Sequence, residues 1–239
     1  MQVVGVIASG IAHEVKNPLA IILQGAEFLD KKIYAKDTNI NTAIASIKEA
    51  VERADRIIKG LLDFSSVSKP DMHKEDINSL IDKCVFLLKH EFDKRHIKVV
   101  RNFNNVPSVF IDKNKIEQVF VNIFMNAAYA MDKTGGELTI TTRVLKLDEP
   151  DARYPDKEMF PSQADTVLLA EITDTGGGIP KDIMERIFEP FFTTNRSRGG
   201  AGLGLAIVKN IIDMHKGMIY ISNVDRKGAK VRIYFRMHQ

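Results

Sequence analysis

A histidine, a carboxylate and a carboxamide lie close together in Ala8-Ser-Gly-Ile-Ala-His13-Glu14-Val-Lys-Asn17-Pro18. A neutral imidazole nitrogen is a nucleophile, and its unperturbed pKa near ~6.5 leaves much of it neutral at neutral pH. A carboxylate beside it can orient the ring and accept the proton released on attack. On a helix, Asn17 shares the face of His13, while Glu14 sits about 100° round the axis. Ile11 and Val15 belong to the apolar stripe, so His13 is expected to face solvent, where a bulky electrophile such as a phosphoryl group can reach it.

Four further segments suggest a nucleotide pocket. Asn122 and Asn126 are four residues apart on an otherwise apolar helical stretch. The amide oxygen is a hard ligand suited to Mg2+, which takes few protein ligands. Asp174-Thr-Gly176-Gly177-Gly178-Ile179 follows a strand-like run. Its glycines allow close approach of a flat ligand, and its carboxylate can accept a hydrogen bond from an exocyclic amine such as that of adenine. Phe188-Glu-Pro-Phe191-Phe192-Thr193-Thr194 is an aromatic cluster read as the hinge of a lid. Gly199-Gly200-Ala-Gly202-Leu203-Gly204-Leu205 opens a helix, where free N–H groups and the dipole favour phosphate. It lacks the Gly-Lys-Ser/Thr ending of a P-loop. Taken singly, each segment has an ordinary structural counterpart: a surface histidine, a helix-surface asparagine pair, a tight turn, a small satellite core.

These residues need elements to hold them. Residues 3–68 read as two helices joined by the polar loop Ala35–Asn39. The second helix carries Ile40, Ile44, Ile47, Val51, Ala54, Ile58 and Leu61, a seam with alternating steps of four and three. In the first, Ile7, Ile11, Val15 and Leu19 step by four, and Pro18 is expected to bend the helix there. One hairpin cannot bury a stripe on each helix, so a homodimeric four-helix bundle is expected. A charged linker, 69–75, leads to a mixed region over 76–239. That region is expected to hold helices at Asp76–Phe92, Lys113–Met131 and Gly202–His215. Strands are expected at Ile97–Phe103, Ser108–Ile111, Glu137–Lys146, Thr166–Thr173, Met218–Asn223 and Ala229–Arg236. Asp148–Asp165, with three prolines, reads as a loop insertion. The fold class is α+β: a helical hairpin followed by an α/β sandwich.

Composition narrows the function. Of 239 residues 44% are hydrophobic, and 34 basic against 31 acidic residues give a net charge of +3. That balance argues against nucleic acid or a membrane surface as partner. No apolar run is long enough to span a bilayer, and no basic leader precedes an apolar core, so no membrane contact is expected within this chain. A single cysteine, Cys84, excludes an intrachain disulfide and points to a reducing, cytoplasmic compartment.

In order and spacing the five motifs resemble those of sensor histidine kinases. His13 with Glu14 and Asn17 is similar to the H box, and Asn122–Met131 to the N box. Asp174–Gly178 is similar to the G1 box, Phe188–Phe192 to the F box and Gly200–Gly204 to the G2 box. The resemblance implies a dimerization and histidine-phosphotransfer hairpin over 1–68 and a Bergerat-type ATP-binding domain over 76–239. It implies ATP and Mg2+ as cofactors, His13 as the phosphorylated residue and Glu14 as its base. Asn17 would place a water for dephosphorylating the partner, a response-regulator receiver domain. Asn122, Asn126, Asp174, Gly176, Gly178, Ile179, Thr193, Thr194, Gly200, Gly202, Leu203, Gly204 and Leu205 would line the nucleotide site. Asn-Ala-x-x-Ala-Met and Phe-Phe-Thr-Thr are similar to the nitrogen-regulation subtype. Relatives of that type carry Lys where this chain has Asn195, with Arg196 and Arg198 nearby, and Thr or Ser where it has Ala201. Two other classes fit part of the pattern: a Bergerat ATPase without a phosphoacceptor, and a non-catalytic dimeric scaffold.

Overall fold

The structure, a computed structural model, describes residues 2–32, 38–65, 69–146, 166–194, 202–224 and 227–237. Within the two long helices only the backbone is described for 2–14, 31–32, 38, 52–53, 56–57 and 59–65. The chain divides into two compact units, Met1–Ser68 with Arg186–Ile207, and Lys69–Glu185 with Val208–Gln239.

In the first unit α1 (Gln2–Lys32) and α2 (Thr38–Ser65) pack against each other, and α1 runs through Pro18 as one helix. The α2 seam splits by heptad position. Ile44, Val51 and Ile58, seven residues apart, are at most 9% exposed. Ile40 and Ile47, the alternate positions, are 40% and 41% exposed. The first helix repeats this: Ala26 is buried, while Val15, Ile22 and Leu29 are exposed, with Ile21 and Phe28 beside them. Among the described seam residues, those at one heptad position turn inside the hairpin and most of those at the other stay open.

The second unit begins with β1 (His73–Glu75), which pairs antiparallel with β3 (Val109–Ile111). The last three residues of the expected linker are thus a strand. A helix follows, α3 (Ile77–Leu87), capped by the Asp76 carboxylate on Asn78 N. The single helix expected over Asp76–Phe92 is interrupted at Leu88, whose ψ of 6° ends α3 before α4 (Lys89–Lys94) begins. Next come β2 (Ile97–Phe103), β3 and α5 (Lys113–Ala130), the last capped by Asp112 on Asn114 N and Lys115 N. The remainder is β4 (Gly136–Lys146), β5 (Thr166–Asp174), α6 (Gly204–Met214), β6 (Met218–Asn223) and β7 (Ala229–Arg236). Helix α6 starts two residues later than expected, and the proposed insertion Asp148–Asp165 lies outside the described residues.

The main sheet has the order β2-β4-β5-β7-β6, with only the β2–β4 pair parallel. On one face Leu138, Ile140, Leu168, Ala170, Ile172, Ile233 and Phe235 are buried. Thr142, on the same face, donates to Asn78 Oδ1 of α3 at 2.7 Å. Helix α5 supplies Ile116, Val119, Phe120, Ile123 and Phe124 to the core. The opposite face carries the cluster Leu145, Val167, Leu169, Met218 and Tyr234, and the ion pairs of Glu171 with Lys230 and Arg232. Cys84 is buried, and desolvation pushes its thiol up to about 11, as befits a core residue.

Candidate functional site

The registers place Leu138, Asp174, Ala229 and Asn223 in one row across four strands, on the helix-covered face. Asp174 ends β5 there and is 6% exposed. Burial raises its pKa above the usual carboxylate value, and the backbone N–H groups of Gly176 and Ala229, both donating to Oδ1, oppose that shift only in part. A carboxylate this dry is a strong acceptor for a donor that enters the site.

The residues after Asp174 form a fixed loop. Thr175 donates its N–H to Glu137 O, and its hydroxyl accepts from Glu137 N at 2.9 Å. Gly176 is buried, and a Cβ there would meet Ala130 Cβ at 2.7 Å and Asp174 Oδ1 at 2.8 Å. Only glycine lets the loop lie against the end of α5. Gly178 has φ +74°, the left-handed region that favours glycine. Gly177 has open space about it, so packing does not require a glycine at that position. Gly228 comes so close that an added Cβ would sit 1.9 Å from Asp174 O.

Ala130 is one turn beyond Asn126, so the N-box helix and the Asp174 loop meet at one end of the unit. Asn126 is exposed, and among the described residues nothing bonds its amide. Asn122 is half-buried and donates from Nδ2 to Gln118 O at 2.9 Å within its own helix. Of the proposed nucleotide residues, the structure thus gathers Asn122, Asn126, Asp174, Gly176, Gly178 and Ile179 in one unit.

Thr193, Thr194, Gly202, Leu203, Gly204 and Leu205 lie on the segment assigned to the other unit. In that segment Phe191 has φ +67° and is exposed, and the Arg186 guanidinium stands over the Phe192 ring at 4.5 Å. Gly202 has φ +71°, and a Cβ on it would lie 2.5 Å from the Phe191 carbonyl carbon. Leu203 is buried, and its carbonyl accepts from Ile207 N, starting the hydrogen bonds of α6. Gly200, Asn195, Arg196, Arg198 and Ala201 lie outside the described residues. His13 and Glu14 are on α1 with their side chains undescribed, and Asn17, one turn on, is exposed.

Sequence reasoning missed Thr175, Asn223, Gly228 and Ala229. Gly228 and Ala229 carry a faint signal, a glycine between two β-rich runs; Asn223 has none beyond ending a strand.

Residues 111–239 match the family model of histidine kinase-, DNA gyrase B- and HSP90-like ATPases. Residues 5–70 match that of the His Kinase A (phospho-acceptor) domain. The sensor kinase CckA of Brucella abortus is 34% identical over 98% of this chain and 24% of its own. The sensory histidine kinase/phosphatase NtrB of Rhizobium meliloti is 32% identical over 89% of this chain and 53% of its own. Among solved structures, histidine kinase ThkA in complex with response regulator protein TrrA is similar at 26% identity and a TM-score of 0.65, over 99% of this chain and 62% of that one. The chain spans from about a quarter to about half the length of these curated relatives. Among the described residues no helix is long and apolar enough to cross a membrane. With a phosphoacceptor-type hairpin ahead of an ATPase-type unit, the chain belongs to the sensor histidine kinase family.

Proposed function

We propose that this chain is an ATP-dependent protein-histidine kinase core that phosphorylates its own His13 and passes the phosphoryl group to an aspartate of a response-regulator receiver domain. The buried Asp174 beside the Gly176 contact with α5 carries this reading. A desolvated carboxylate at the head of a glycine-rich loop suits a flat base bearing an exocyclic amine, such as adenine. Asn126, exposed at the same end with a hard oxygen, fits Mg2+, which takes few protein ligands and completes its shell with phosphates and water. The ion would neutralise charge on the ATP phosphates. Gly200, Gly202, Leu203, Gly204 and Leu205, with Thr193 and Thr194, would form the phosphate side at the start of α6.

In the transfer step an imidazole nitrogen of His13 attacks the γ-phosphorus. The N–P bond forms, the bond to the β–γ bridging oxygen breaks, and ADP departs; Glu14 takes the ring proton. Positioning supplies most of the catalysis, so the nucleotide domain must bring the γ-phosphate to the hairpin (1–68) through the connection ahead of β1. Asn17, exposed beside His13, would hold a water for dephosphorylating the receiver domain; a relative named as a kinase/phosphatase supports that second activity.

The open half of the hairpin seam, Val15, Ile22, Leu29, Ile40 and Ile47, supports a homodimer. A second copy would cover these positions, and burying the surface still exposed on each side chain adds roughly 1 kcal/mol. A cytoplasmic location accords with the lone buried cysteine.

Calorimetric titration with a non-hydrolysable ATP analogue separates the two halves of the proposal. His13→Ala should bind as the parent does, and Asp174→Asn should bind at least about 100-fold more weakly. Equal affinity in parent and Asp174→Asn contradicts the adenine assignment.

A further inference from the structure

Asn223 ends β6 in the same row of the sheet as Asp174, two strands away. Its carboxamide makes two hydrogen bonds to a single residue. Ile179 N donates to Asn223 Oδ1 at 2.8 Å, and Asn223 Nδ2 donates to Ile179 O at 2.7 Å. A carboxamide has the donor and acceptor of a peptide group at a peptide's spacing, so it pairs with Ile179 as another residue of strand would. Gly178 fits this arrangement: a Cβ there would come within 3.0 Å of Asn223 Oδ1. Asp174 Oδ1 holds the near end of the loop through Gly176 N. Asn223 holds the far end.

We infer that Asn223 is a positioning residue for the nucleotide base, acting through Ile179 and making no contact with the ligand itself. The inference rests on the ATP-site reading above. Between its two anchors the loop keeps one conformation before ligand arrives, so binding need not order it. Few other side chains serve. Aspartate has the same size but no donor, and would turn an oxygen toward Ile179 O; alanine releases both bonds.

The test uses the full chain, titrated with a non-hydrolysable ATP analogue and Mg2+, assayed for labelling from ATP, and followed by amide hydrogen exchange. Asn223→Ala should weaken analogue binding about 10-fold, the order expected for two exposed hydrogen bonds. The KM for ATP should rise to match while the rate at saturating ATP stays within about twofold, the pattern of lost uniform binding. Exchange should quicken at Gly176–Ile179 and not across β4, β5 and β7. Asn223→Asp, which preserves volume, should move binding and exchange in the same direction. Both variants binding as tightly as the parent would overturn the inference while leaving the ATP reading intact. Faster exchange throughout the sheet would also overturn it, since that marks a general structural role. A parent that fails to bind the analogue would remove the ATP reading and this inference together.

Discussion

In α5 of the nucleotide unit Ile116, Val119, Phe120, Ile123 and Phe124 are all at most 2% exposed, whereas in α2 of the hairpin Ile40 and Ile47 lie open, alternating with the buried Ile44 and Val51. The two helices are alike in apolar content along one face and differ in what their own chain supplies to cover it. The nucleotide unit closes its core with a sheet; the hairpin has one partner helix and two stripes to bury. Its assembly and stability should therefore depend on concentration, and those of the nucleotide unit should not.

The largest effect tests the nucleotide unit alone. Asp174→Asn retains an oxygen to accept from Gly176 N and Ala229 N but turns an NH2 toward any incoming amine. ATP affinity should fall by about 100-fold or more, the scale at which a site built for one hydrogen-bonding group rejects its mismatch. Stability should move the other way. Burial raises the pKa of Asp174, so the folded state carries a charge penalty that sets in as pH rises from its unfolded value of 3.8 through the folded one and is fully present above it. The melting temperature without ligand at neutral pH should hold or rise; a clear fall would show that the charge stabilises the fold.

The hairpin is tested next. Ile22→Asp with Ile47→Asp puts charge on the open stripes and leaves Ala26, Ile44 and Val51 untouched. Sedimentation equilibrium should show at least a 100-fold weaker dimer, on the order of 3 kcal/mol for the exposed surface of four isoleucines per dimer, with the helices of the nucleotide unit unaffected. A dimer of unchanged affinity would mean these stripes are not the interface.

Gly202→Ala is expected to act at intermediate strength. The left-handed φ and the 2.5 Å approach to Phe191 make alanine strained there, costing about 1–3 kcal/mol locally. Analogue affinity should drop while thermal unfolding of the rest barely shifts.

The smallest effect concerns His215, buried at the end of α6. Its Nε2 accepts from Asp112 N at 2.9 Å and its Nδ1 donates to Ile211 O at 2.7 Å, which fixes a neutral ring. Desolvation lowers its pKa below 6.5, against weaker opposing pulls from the Ile211 carbonyl and Asp112. The folded state therefore binds fewer protons than the unfolded one, and stability falls as pH drops from 6.5 toward the folded value. His215→Gln should flatten that slope in thermal melts between pH 7 and 5.

The elements were largely legible in the sequence because their signals are periodic. The α2 heptads, the β-branched alternation at 138–146 and the glycines after Asp174 each follow from local rules. What escaped was non-local. Leu88 interrupts a helix that periodicity alone would continue to Phe92. Residues 73–75 become a strand only because Val109–Ile111 lies beside them. Asn223 and Gly228 reach the site because the order β5-β7-β6 folds the last hairpin back against Asp174. Type and spacing pointed to the residues proposed to touch a ligand; the residues that hold those residues appear only with the topology.

The central claim is that His13 receives the γ-phosphoryl group of ATP, and labelling tests it most directly. The parent, incubated with γ-labelled ATP and Mg2+, should take up label that is lost in acid and kept in base, as a phosphorus–nitrogen bond requires. His13→Ala, with analogue binding intact, should take up none. Label that persists in this variant, or that survives acid in the parent, would contradict the account.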